Sequence, residues 1–111
     1  MSTVTTAPAT QRVPVAGVDL DVLRRGPGQP LLLLHGFEHI DPRLPIVDLL
    51  ARDAELLAPS HPGFGGTKRP KDFGTMYDLV HLYLEYIDTL PAGPITLMGI
   101  SFGGWLAAEI A

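Results

Sequence analysis

The chain has 111 residues, 46% of them hydrophobic and 18% charged, so it makes one small domain too apolar to stay unfolded. A net charge of −4, with neither a basic patch nor a basic helix, speaks against nucleic acid and anionic membranes as partners. The absence of cysteine excludes a disulfide framework, a thiol nucleophile and a cysteine zinc site, and no motif asks for a metal or other cofactor.

Residues 1–10 read as a disordered lead-in and 11–111 as one partial domain. Residues 1–11 have neither a basic start nor an apolar run, so no secretory signal is expected and the chain is placed in the cytoplasm. Two short strands are predicted over 13–15 and 18–25, joined at Gly17; Val18, Leu20 and Val22 give the second the alternation of a half-covered sheet edge. After a turn at 26–30, the unbroken apolar run 31–34 has the character of a strand buried on both faces, ending in His35-Gly36. Pro42 and Pro45 sit where a helix begins, and 46–52 supplies its apolar spacing. A short buried strand at 56–58 is expected to stop at Pro59.

The loop from Ser60 to Thr67 is rich in glycine and proline and reads as a tight turn shaping the rim of the sheet, with Gly63 and Gly65 at its bends. A phosphate cradle does not fit, because neither glycine-rich nucleotide motif occurs at a strand-to-helix junction. The basic run 68–71 reads as solvated surface. Thr75 and Asp78 have cap spacing, and Met76, Leu79, Val80, Tyr83, Ile87 and Leu90 fall on one face of the clearest helix. Gly93-Pro94 breaks it; a strand over 95–98 and a helix from Phe102 onward follow. Residues 89–108 carry no charge and could span a bilayer by length, but two prolines and four glycines interrupt them, so no membrane span is expected. Strands alternating with helices predict an α/β fold: a mostly parallel sheet of about five strands with flanking helices.

The strongest chemical signal is Gly99-Ile100-Ser101-Phe102-Gly103, a G-x-S-x-G between a predicted strand and a predicted helix. Chance gives about 0.03 such matches in a chain of this composition, so the flanking elements must carry the assignment. A serine at such a junction is held in a strained conformation, and glycines at 99 and 103 remove the Cβ atoms that would collide there. The competing reading of Ser101 is a helix N-cap. The second signal is His35-Gly36-Phe37, where Gly36 lets the chain bend over the sheet end. The amides of Phe37 and Phe102 would then form a two-donor oxyanion hole. His35 itself is expected to be structural, bonding nearby backbone.

The set Leu31-Leu32-Leu33-Leu34-His35-Gly36-Phe37, Ala58-Pro59-Ser60-His61-Pro62-Gly63-Phe64-Gly65-Gly66-Thr67 and Leu97-Met98-Gly99-Ile100-Ser101-Phe102-Gly103-Gly104 resembles the N-terminal part of the alpha/beta-hydrolase superfamily. The likeness is greatest to bacterial esterases and carbon–carbon bond hydrolases of single-domain type. It implies Ser101 as nucleophile, the Phe37 and Phe102 amides as oxyanion donors, and a small-molecule ester or acyl substrate. Serine at 101 sets the chain apart from dehalogenase and epoxide hydrolase branches, whose nucleophile is a carboxylate. In that family the triad acid and histidine follow the serine. Here Glu109 is the sole titratable side chain after Ser101, and His35, His39, His61 and His81 all precede it. The expectation is therefore a fold truncated after the elbow helix and inactive alone, with the C-terminal portion of the same fold as a partner. A non-catalytic relic, or a binding partner that completes its sheet with another polypeptide, is the alternative.

Overall fold

The computed structural model describes residues 9–38, 40–64 and 74–111. Five strands and three helices follow in the order β1 (Ala9–Val15), β2 (Val18–Arg25), β3 (Pro30–Leu34), α1 (Pro45–Leu50), β4 (Glu55–Ser60), α2 (Met76–Asp88), β5 (Thr96–Gly99) and α3 (Phe102–Ile110). β1 begins at Ala9, inside the stretch read as a lead-in, because Ala9 and Thr10 pair with Arg24 and Leu23 of β2. The strands form one sheet in the order β1-β2-β4-β3-β5. β3 runs parallel to β4 and β5, while β2 is antiparallel to both β1 and β4, so β2 alone opposes the other four.

The hairpin between β1 and β2 closes over two residues, Ala16 and Gly17, at φ 50° and 80°. Positive φ at both central positions lets the turn follow the right-handed twist of the strands. β4 runs on to Ser60 instead of stopping at Pro59, which pairs with Val22. The β3 ladder on the other side of β4 already ends at Leu57, so the missing proline N–H breaks no bond there.

Alternation sorts the apolar runs onto two faces. Leu32, Leu34, Val22, Leu57 and Leu97 face α2 and α3, packing with Val80, Leu82, Tyr83, Tyr86 and Leu106. Leu31, Leu33, Leu23, Leu56, Ala58 and Met98 face the other way, against Val47 and Ala51 at α1. Each fully buried leucine contributes about 2 kcal/mol of transfer free energy, so the consecutive leucines of β3 anchor both layers at once. α1 starts with Pro45 in its first turn and ends at Leu50, two residues short of the predicted stop. At the start of α2 the Asp78 carboxylate accepts hydrogen bonds from the N–H groups of Gly74 (2.8 Å) and Thr75 (3.0 Å), which hold it below the usual carboxylate range. Its buried stripe is wider than the predicted face, taking in Leu82 and Tyr86. Residues 89–108, long enough on paper for a bilayer, divide into a turn, β5, a bend and most of α3. No helix among the described residues is long and apolar enough to cross a membrane.

Candidate active site

The bend between β5 and α3 is fixed by backbone bonds. Ile100 N–H donates to the Leu34 carbonyl at 3.0 Å, tying the end of β5 to β3. Gly103 and Gly104 then donate to Ile100 and Ser101 at 2.9 Å each, which starts α3 at once. Between them Ser101 sits at φ 56°, ψ −119°, a left-handed backbone at a residue with a Cβ. Such a conformation costs about 1–3 kcal/mol and persists only where its surroundings impose it. Those surroundings have no room for side chains: a Cβ at Gly99 would overlap the Gly103 carbonyl, and one at Gly103 would overlap the Leu34 carbonyl. Ser101 is exposed, and its hydroxyl makes no capping bond to α3. An N-cap serine would have extended backbone and a side-chain bond, so the geometry departs from that reading on both counts.

His35-Gly36-Phe37 leaves the end of β3 directly beside this bend. A Cβ on Gly36 would lie 3.1 Å from Ser101 Cβ, 3.0 Å from the Ile100 carbonyl and 3.6 Å from the Phe102 nitrogen. A side chain at 36 would require these neighbours to give way by a few tenths of an ångström. The N–H groups of Phe37 and Phe102 have no hydrogen-bond partner among the described residues. Their rings lie 6.2 Å apart, with Phe37 81% exposed.

Beneath these segments lies a buried pair of histidines. His61 N–H donates to His35 Nε2 at 2.9 Å, and His61 Nε2 bonds the His35 carbonyl at 2.7 Å. His35 Nδ1 bonds the Gly36 carbonyl at 2.8 Å, and His61 Nδ1 lies 2.6 Å from the Tyr83 hydroxyl. Carbonyls only accept, so both tautomers follow: His35 carries its proton on Nδ1, His61 on Nε2, and Tyr83 donates to His61 Nδ1. Both rings are neutral in this arrangement, stacked with centroids 3.8 Å apart. Burial first, and the electrostatics of the neighbouring His35 second, push the His61 pKa down from 6.5 to about 4. Burial likewise drives the Tyr83 phenol above its ordinary value.

A cleft of about 270 Å³ opens over this pair, and its described lining, which includes Gly36, Phe37, Phe64, Met76, Leu79 and Phe102, has no charged side chain. Its rim includes a turn in which Phe64 N–H donates to the His61 carbonyl at 2.9 Å, with Gly63 at φ 96°. That is a type II turn with proline first and glycine second. Gly65, the rest of that loop, the basic run 68–71 and His39 lie outside the described residues. His81 lies elsewhere, in a groove with Ala16 and Val18 beside the β1–β2 turn. Among the described residues there is no group of side chains that could hold a metal ion.

Residues 31–111 match the family described as "Alpha/beta hydrolase family". The chain belongs to the alpha/beta hydrolase family. A poly(3-hydroxyalkanoate) depolymerase from Ectopseudomonas oleovorans is 31% identical over 83 residues, covering 74% of this chain and 29% of the depolymerase. Among solved structures, the epoxide hydrolase VrEH1 from Vigna radiata superposes at a TM-score of 0.78 with 28% identity, over 94% of this chain and 35% of that one. A bacterial membrane phospholipase A gives 0.83 at 24% identity, over 94% and 35%. E-2-(acetamidomethylene)succinate hydrolase gives 0.83 at 23%, over 93% and 39%. These last two likenesses speak for the hydrolase fold alone. The chain spans about a third of the length of the family members it matches.

Within this hydrolase scaffold the structure brings Gly36, Phe37, Gly99, Ser101, Phe102 and Gly103 together at the ends of β3 and β5. His35 lies below them, fully buried and bonded to the Gly36 carbonyl. The residues that sequence reasoning missed are His61, read as one more loop residue, and Tyr83, read as plain core. The available signal was a histidine directly after a buried strand and before a proline.

Proposed function

We propose that Ser101 is the nucleophile of a hydrolase acting on an ester or related acyl bond. The observation that carries this reading is the exposed serine at φ 56° between β5 and α3. Its Oγ would attack the carbonyl carbon, and the Phe37 and Phe102 amides would take the developing oxyanion. One such donor is worth about 3–4 kcal/mol in the transition state. The positive end of α3 adds to the field at the same place. A side chain with a hydroxyl at 101, where the carboxylate-nucleophile branches need an acid, favours acyl transfer over epoxide opening. The depolymerase likeness points the same way, since a poly(3-hydroxyalkanoate) is joined by ester bonds.

Serine at neutral pH is a weak nucleophile without a base. His35 and His61 are both held neutral with every ring nitrogen engaged, His81 lies beside the β1–β2 turn, and Glu109 is the only titratable side chain after Ser101. The base and acid are therefore assigned to residues other than the described ones, and the 111-residue chain alone is expected to be inactive. A second reading, a non-catalytic chain that completes its sheet with another polypeptide, draws on β5, which among the described strands pairs with β3 alone.

Fluorophosphonate labelling beside a Ser101→Ala control separates the two. A longer chain carrying this segment with a downstream aspartate and histidine is expected to be labelled at Ser101, and the isolated chain to turn over no p-nitrophenyl ester. Labelling that survives Ser101→Ala would remove the nucleophile assignment. Serine-dependent ester turnover by the isolated chain would overturn its inactivity.

A further inference from the structure

We propose that His35 is a positioning residue that aims the Phe37 N–H at the oxyanion site, and that His61 and Tyr83 hold it in the tautomer this requires. The inference rests on the acyl-transfer reading above for its purpose, but its geometry stands apart from that chemistry. The Gly36 carbonyl and the Phe37 N–H belong to one peptide unit, and in a trans peptide they point in opposite directions. His35 Nδ1–H grips that carbonyl at 2.8 Å. Holding the carbonyl down toward the buried ring turns the N–H of Phe37 the other way.

The grip needs a proton on Nδ1 of His35. The opposite tautomer would present a lone pair to the Gly36 carbonyl and release it. His61 enforces the choice, because its backbone N–H occupies His35 Nε2 at 2.9 Å and leaves that nitrogen only the acceptor role. The clasp is reciprocal: the His61 ring donates back to the His35 carbonyl at 2.7 Å, while Tyr83 donates to its other nitrogen at 2.6 Å. Thus α2, β4 and β3 converge on one peptide plane. No buried side-chain polar atom among the described residues lacks a partner, as a working relay requires.

Side-chain amides separate the two nitrogens. The amide nitrogen of asparagine sits where Nδ1 does, so His35→Asn keeps the donor to Gly36; His35→Gln reaches toward the Nε2 position and loses it. We expect ¹⁵N spectra of the unmutated chain at neutral pH to show His35 as the Nδ1–H tautomer. Residual dipolar couplings of the Phe37 N–H are expected to be kept in His35→Asn and changed well beyond experimental scatter in His35→Gln, with the couplings of β3 and β5 unchanged in both. His35 found with its proton on Nε2 would overturn the proposal without any variant. So would an unchanged Phe37 coupling in His35→Gln, or an equal change in both variants, which would mean that ring packing and not the donor holds the loop. Neither measurement needs Ser101 to react. A failed labelling experiment with these results intact removes the acyl-transfer reading alone, and a labelled Ser101 with an unmoved Phe37 removes the positioning role alone.

Discussion

Consider His61 as the pH falls from 7 to 4. In the native chain its pKa is about 4, because burial and the neighbouring His35 ring both oppose a second ring proton. In the unfolded chain it returns to an ordinary 6.5. Below 6.5 the unfolded state therefore binds more protons than the native one, and acid favours unfolding. The stability tied to neutral His61 is whole above 6.5, declines by about 1.4 kcal/mol per pH unit below it, and levels off once the pH passes 4. The loss across that window is about 3 kcal/mol, a large share of the 5–15 kcal/mol typical of a domain. Among the described residues, the rings around it are those of His35, Phe64, Tyr83 and Phe102, and no carboxylate contributes to its shift. Urea unfolding followed by far-UV circular dichroism at several pH values measures the effect, with His61→Gln as the reference. That variant can still donate to the His35 carbonyl but does not titrate, and the acid loss from Asp78 cancels between the two proteins. The advantage of the unmutated chain should shrink by about 3 kcal/mol on acidification. Parallel curves from pH 7 to 4 would refute the assignment of a buried neutral imidazole.

Ser101→Gly should raise stability by about 1 kcal/mol, since glycine relieves the positive φ and gives back part of that gain in unfolded-state entropy; chemical denaturation checks it. Gly103→Ala should cost more than about 3 kcal/mol or prevent folding, because the new methyl meets the Leu34 backbone. Gly104→Ala is its control: the nearest atom to a Cβ there is 3.6 Å away, so thermal melts should show a neutral change or a gain of up to about 1 kcal/mol. Tyr83→Phe should cost about 1–3 kcal/mol in the same melts by leaving His61 Nδ1 buried without its donor.

The α/β alternation, the four-leucine strand, the cap at Thr75 and Asp78, and the serine between strand and helix were all legible in the sequence. Each is local: period-two and period-3.6 spacing, turn residues and cap spacing act within a few positions of one another. Pro59 misled because its tolerance depends on where a neighbouring ladder stops, which no local pattern records. Leu82 and Tyr86 escaped the predicted stripe because the width of a buried helix face depends on what packs against it. The hidden pairing of His35 with His61, 26 positions apart, and their link to Tyr83 on α2 were decided by tertiary structure alone. Which nitrogen carries a proton depends on which acceptor lies opposite, and that is known only once β3, β4 and α2 have come together. The residues themselves could announce a serine at a bend; only the folded chain could show the histidine pair beneath the peptide beside it.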